Sequence, residues 1–307
     1  MKIRRVSLII GAMLAILVLF VVGCRGTSSS SEKAASSQKP KYYTPATLRV
    51  GLIPNIAPDK QRAKYEPFRA YLQKKLGMPV DLFVATNYTG VVQAMVSGKL
   101  DLAYFGGLTY AQALEQTPIE PIVTEVDRET GTTEYWSEII TRKDSGINSL
   151  ADLKGKTFAF GDPSSTSGSL YPRLMLISAG YDWKNDFKPI RQVIYTGGHD
   201  ATAGAVVNGR VDAGGLEGRI LDQLEKNGKV DGSKLKVLDK RLVQGYPWCV
   251  PSNLDPAYRA KLIDAFENIS DPSLLDLLRA KRYAPVSAMD YDYVRKEAKQ
   301  VGLIKAR

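Results

Sequence analysis

The stretch AGAVVNGRVDAGGLEG at residues 203–218 repeats the shape of VVQAMVSGKLDLAYFG at residues 91–106. Each copy is a helix of small and apolar residues, a stop carrying a glycine (Gly98, Gly209), and a short strand that begins at an aspartate (Asp101, Asp212). A helix feeding a strand in this way belongs to a layered α/β unit. Its appearance in both halves of the chain predicts two lobes built on one plan.

Outward from these anchors the alternation continues. Short apolar runs predict strands at 48–54, 80–86, 100–106, 121–126, 135–142, 156–163, 191–197, 211–218 and 235–240. Amphipathic patterns predict helices at 59–76, 89–98, 108–117, 165–179, 200–209, 218–227, 256–269, 272–281 and 289–301. Within 59–76, Tyr65, Phe68, Leu72 and Leu76 share one face while Lys60, Arg62, Lys64 and Lys74 fall elsewhere, so one side is core and the other solvent. Pro67 in that pattern predicts a kink or a later start. The alternation as a whole implies an α/β fold with mostly parallel sheets flanked by helices.

Ahead of this region, Lys2, Arg4 and Arg5 precede an apolar run from Val6 to Val22 that ends in Gly23-Cys24. This is the three-part form of a secretory signal peptide. Val21-Val22-Gly23-Cys24 also resembles a bacterial lipobox, which predicts cleavage after residue 23 and a lipid on Cys24. An uncleaved membrane anchor is the alternative, because the run approaches bilayer-spanning length. Either reading places residues 25–307 outside the cytoplasm, in the periplasm or at the cell surface. Residues 24–45 are Ser-, Lys- and Ala-rich with little to bury, and read as a flexible tether.

With 307 residues, 44% hydrophobic and 24% charged, the chain is ordinary globular material long enough for two domains. Cleavage would remove three of 42 Lys+Arg against 32 Asp+Glu, leaving a net charge of +7. The basic residues scatter among acidic ones, which argues against a nucleic-acid binder and fits a small anion or an anionic membrane surface. If Cys24 is lipidated, only Cys249 remains, so neither an intramolecular disulfide nor a Cys/His metal site is expected. The single histidine, His199, is the one easy candidate for a base near neutral pH. No cofactor is expected.

The densest chemical signal is Gly161-Asp162-Pro163-Ser164-Ser165-Thr166-Ser167-Gly168, between the strand KTFAF and the helix through Leu170 to Ile177. One hydroxyl suffices to cap a helix start. Four in a row, followed by a glycine that lets backbone approach a ligand, fit an oxyanion held by the unpaired N–H groups and positive dipole end of the helix. Each charge-assisted bond contributes about 1.5–3 kcal/mol, so four or five reach about 8 kcal/mol, or micromolar affinity, after ordering costs.

The run GDPSSTSGSLYP, with DLAYFG before it and TGGHDATAGAVVNGRVDAG after it, resembles periplasmic binding proteins of phosphonate and phosphite importers, from Leu48 to about Tyr283. The resemblance implies a two-lobed type II binding protein with the ligand in the cleft. It implies that Ser165, Thr166 and Ser167 hold phosphorus oxygens, that His199 contacts the ligand, and that Tyr88 and Tyr135 close the first lobe over it. Tyr104 is expected to be structural. In binders of aminoalkyl phosphonates, carboxylates hold the ligand's ammonium. Glu217 could match one of them, and Tyr246 stands where a family aspartate is expected. Loss of that carboxylate favours phosphite or methylphosphonate over 2-aminoethylphosphonate, with phosphate still open.

Lobe 1 is expected at 46–138 with 245–307, and lobe 2 at 139–244. The expected molecule is a monomeric lipoprotein that serves an ABC permease and is not an enzyme. A Ser/His hydrolase finds no support in a G-x-S-x-G elbow or a second histidine. A sensor lipoprotein signalling to a membrane kinase would share the fold. His199 could bind as a cation, with affinity lost above its ordinary pKa of about 6.5, or as a neutral donor without that loss.

Overall fold

A computed structural model describes residues 41–305. The expected signal peptide, Cys24 and most of the tether lie outside the described residues. Tyr43, assigned to the tether, is already docked: its amide donates to Asn253 O (3.1 Å) and its hydroxyl to Asp101 Oδ1 (3.0 Å).

The first half of lobe 1 is a βαβαβ unit: β1 (Leu48–Leu52), α1 (Pro58–Leu76), β2 (Val80–Val84), α2 (Tyr88–Val96) and β3 (Leu102–Tyr104). Here β1 pairs in parallel with β2 on one side and β3 on the other. α3 (Gly107–Leu114) and β4 (Ile119–Val126) follow, and the chain then crosses into β5 (Glu134–Arg142) of a second sheet. There β6 (Thr157–Phe160), a π-helical turn at Thr166–Leu170 leading into α4 (Tyr171–Ser178), β7 (Gln192–Tyr195), α5 (His199–Val207) and β8 (Ala213–Glu217) repeat the plan. β6 pairs in parallel with β7 and β8.

The quoted repeat is therefore the third leg of the same unit in each lobe. Gly98 and Gly209 take left-handed φ values of 70° and 69°, as the exit from each helix requires. The two aspartates do equivalent work. Asp101 accepts from the Arg49 amide at 3.0 Å and Asp212 from the Thr157 amide at 2.8 Å, each tying the start of the third strand to that of the first.

After β8 come α6 (Gly218–Lys226) and β9 (Leu235–Gln244), and a second crossing returns the chain to lobe 1. There β10 (Trp248–Pro251), α7 (Pro256–Glu267), α8 (Pro272–Leu277), β11 (Arg282–Pro285) and α9 (Asp292–Gln300) complete it. The sheet orders are β11-β4-β10-β3-β1-β2 and β7-β6-β8-β5-β9.

Four expectations change. β10 and β11 were not foreseen, because four-residue strands within YPWCVP and KRYAPV carry no alternation. The sheets are mixed: the βαβαβ units pair in parallel, while β4, β5, β9, β10 and β11 pair antiparallel with their neighbours. The second sheet claims the chain from Glu134, upstream of the expected boundary at 138, so Tyr135 stands on lobe 2 and not on lobe 1. α1 begins at Pro58 and is continuous through Pro67.

β10 lies between β3 and β4, and its Trp248 is fully buried. The indole sits 4.9 Å from the Tyr104 ring, 5.2 Å from Phe68 and 4.9 Å from Phe266, joining the sheet to α1 and α7. Tyr104 in turn stacks on Tyr246 at 5.0 Å, so this core supports the aromatic wall of the cleft. Trp248→Ala should cost about 3–5 kcal/mol of stability, measured by urea denaturation of the full chain.

Candidate ligand-binding site

The equivalent units face each other with their helix starts inward, and each lobe supplies acceptors for the other. The first amide of α2, on Tyr88, donates to Asp162 Oδ2 of lobe 2 at 3.1 Å. The Leu108 amide of α3, a helix whose N-cap is Gly106 and brings no side chain, donates to Thr166 Oγ1 at 2.9 Å. In return, the His199 amide at the start of α5 donates to Asn55 O of lobe 1 at 3.0 Å. Buried helix starts carry donors that need partners, and here the partners lie across the cleft.

This interlock divides the labour among the consecutive hydroxyls. Ser165 is the cap of its own helix, its Oγ accepting from the Gly168 amide at 3.0 Å. Thr166 is spent on α3. Ser167 Oγ, fully buried, has only the Tyr135 hydroxyl beside it as a partner, and the Tyr135 hydroxyl has only Ser167 and Tyr246. Buried polar atoms without partners are rare and call for an explanation. The buried side-chain amide of Asn55 is such a group among the described residues.

His199 is wholly buried between the lobes. Its Nδ1 accepts from the Glu217 amide at 3.3 Å, which leaves the proton on Nε2. Nε2 stands 3.5 Å from the hydroxyls of both Tyr88 and Tyr246. Burial, reinforced by Arg279 and Arg219 against the opposing pull of Glu217, lowers its pKa to about 4. At neutral pH the ring is an uncharged donor. Gly168 permits its approach, since a Cβ there would lie 3.1 Å from His199 Cε1.

Tyr88, Tyr135 and Tyr246 are all buried, and burial raises each phenol above its ordinary range, so all three keep their protons. The Tyr246 hydroxyl donates to Glu217 Oε2 at 2.6 Å. Glu217 is wholly buried, which by itself raises its pKa, yet Arg219 and Arg279, with His199 and Tyr246, outweigh that and hold it at about 2. It is an ionised carboxylate at neutral pH.

All eight residues singled out in the sequence thus converge between the lobes, although Ser165 and Thr166 spend hydroxyl acceptors on protein amides. Asn55, Asp162, Arg219 and Arg279 were missed. Asp162 lay within the quoted motif but was given no role, and neither arginine sits in a pattern that distinguishes it from the surface Lys and Arg around it.

A buried cluster of neutral donors between two βαβαβ lobes, with no acidic side chain among the described residues left unpaired toward it, defines a two-lobed binding protein for a small anion. Residues 50–291 match the family model described as the periplasmic substrate-binding protein of phosphonate ABC transporters, and the chain belongs to that family. It is 31% identical to the phosphate-import protein PhnD of Mycolicibacterium smegmatis, covering 85% of this chain and 89% of that one. It is 33% identical to the phosphonates-binding periplasmic protein of Escherichia coli, covering 78% and 72%. Among solved structures, PhnD1 of Prochlorococcus marinus in complex with methylphosphonate superposes with a TM-score of 0.77 at 28% identity, covering 85% of this chain and all of that one. These relatives are binding proteins of transport systems.

Thr166→Val would leave the Leu108 amide buried without an acceptor. It should cost about 1–3 kcal/mol in urea denaturation, with Thr166→Ser restoring most of it.

Proposed function

We propose that this chain captures phosphite or a small phosphonate such as methylphosphonate for an ABC permease, as a monomer held to the membrane through a lipid on Cys24. The observation that carries the ligand class is the set of buried, uncharged donors around His199 Nε2, together with the buried Ser167 and Tyr135 hydroxyls, whose protein partners are only each other and Tyr246. A tetrahedral oxyanion supplies the acceptors such a set needs. The size limit comes from Tyr246, whose ring, packed 5.0 Å from Tyr104 and 5.2 Å from Tyr135, closes the space where a longer tail would run. Phosphate has the same shape and stays in the comparison.

The His199 tautomer also speaks against a hydrolase. Its Nδ1 lone pair is committed to the Glu217 amide, so no lone pair is directed at a serine whose proton it would have to take. Closure about the two crossings, from Val126 to Glu134 and from Gln244 to Trp248, is hinge motion that seals the ligand from water. Tyr88 closes from lobe 1, and Ser167, Tyr135 and His199 act from lobe 2.

Titration calorimetry of the full chain against phosphite, methylphosphonate, 2-aminoethylphosphonate and phosphate should find the first or second tightest, in the micromolar range. Binding of none below millimolar would refute the ligand class. Because His199 is a neutral donor, the ratio of wild-type to His199→Gln affinity should stay constant between about pH 6 and pH 8. A cationic His199 would make that ratio shrink as pH rises. The anchor is tested separately: palmitate labelling of expressing cells should mark the chain, and Cys24→Ala should abolish the label.

A further inference from the structure

Glu217 puts a carboxylate in the wall of the proposed anion site, where an unpaired negative charge would repel the ligand. Two guanidinium groups meet it. Arg219 Nε donates to Glu217 Oε1 at 2.8 Å, and Arg279 Nε lies 3.5 Å from the same oxygen. Oε2 is taken by the Tyr246 hydroxyl at 2.6 Å. Both arginines are themselves buried, at 8% and 5% exposure. Guanidinium stays charged under any working condition, so this pairing does not titrate away.

The arrangement is reciprocal between the lobes. Arg219 of lobe 2 also reaches Glu125 Oε1 of lobe 1 at 2.8 Å, while Arg279 of lobe 1 reaches Glu217 of lobe 2. The Arg219 guanidinium lies over the Tyr135 ring at 4.3 Å, directly behind the aromatic wall. Arg279 also donates to the Tyr104 hydroxyl at 3.1 Å, supporting the ring on which Tyr246 stacks.

We infer that Arg219 and Arg279 determine specificity: they are built-in cations that occupy Glu217, so the site rejects ligands with a cationic tail and accepts compact oxyanions. This deepens the phosphorus-oxyanion reading above and rests on it. A tail leaving the oxyanion toward Glu217 meets Tyr246 first and then a carboxylate with donors on both oxygens. An incoming ammonium would have to displace a guanidinium and leave it buried without its partner, which is strongly unfavourable. Freed of the arginines, the same carboxylate would favour a cationic tail.

The test is titration calorimetry of the full chain with methylphosphonate and with 2-aminoethylphosphonate, on wild type, on Arg279→Asn, and on the double variant Arg219→Gln/Glu125→Gln. Asparagine suits the left-handed backbone at position 279, where φ is 58°. The double variant removes one buried charge of each sign; Asp127, whose Oδ2 lies 3.7 Å from Arg219 Nε, loses that cation but keeps the Glu129 and Thr130 amides on Oδ1. Wild type should favour methylphosphonate, and each folded variant should move the affinity ratio toward 2-aminoethylphosphonate by about tenfold or more. A ratio unchanged in the variants that fold, as judged by circular dichroism, overturns the assignment and leaves the ligand class standing. Wild-type preference for 2-aminoethylphosphonate overturns the assignment alone. A wild type that binds neither of these ligands nor phosphite or phosphate overturns both.

Discussion

A helix start buried between two lobes cannot leave its first amides unpaired, and the closed form of this protein is built around that constraint. Asp162 and Thr166 reach from lobe 2 to the starts of α2 and α3, and the α5 amide of His199 reaches back to Asn55 O. Each is a short bond to a buried group, and such groups are costly to strand. The consequence is that the lobes meet in one register. That register brings the Tyr88 hydroxyl from lobe 1 to His199 Nε2 from lobe 2.

Electrostatics then follow from burial. Inside the closed interface a histidine sheds its proton and tyrosines keep theirs, which makes a lining of uncharged donors. A carboxylate in the same interface can remain ionised only with cations beside it, and Arg219 and Arg279 provide them. Attraction for an anion therefore comes from oriented N–H and O–H groups, which discriminate by geometry. A lysine in the motif would attract anions of many shapes.

Much of this was legible in residue order. The helix-stop-strand repeat fixed two equivalent units, because hydrophobic periodicity, a glycine exit and an aspartate at the strand start are local properties. The hydroxyl run and His199 stood out for the same reason: each sits at a helix start, and helix starts have a local signature. β10 and β11 did not stand out, since a strand of four residues is too short to show a period. Arg219 and Arg279 were equally invisible, because what separates a buried specificity residue from a surface arginine is its partner. Arg279 meets Glu217, and Arg219 meets Glu125, across the two lobes, while Arg219 also pairs with Glu217 of its own lobe.

By itself, then, the sequence determined the α/β plan, its duplication and the helix starts that carry donors, all set by interactions within a few residues along the chain. Only the tertiary structure decided what those donors do. It made Ser165 a cap and Thr166 a latch, set Ser167 beside the Tyr135 hydroxyl, moved Tyr135 to lobe 2, and gave His199 its tautomer and its charge. Those outcomes depend on which atoms meet across the cleft and how deeply water is excluded there, and residues far apart in the chain settle both.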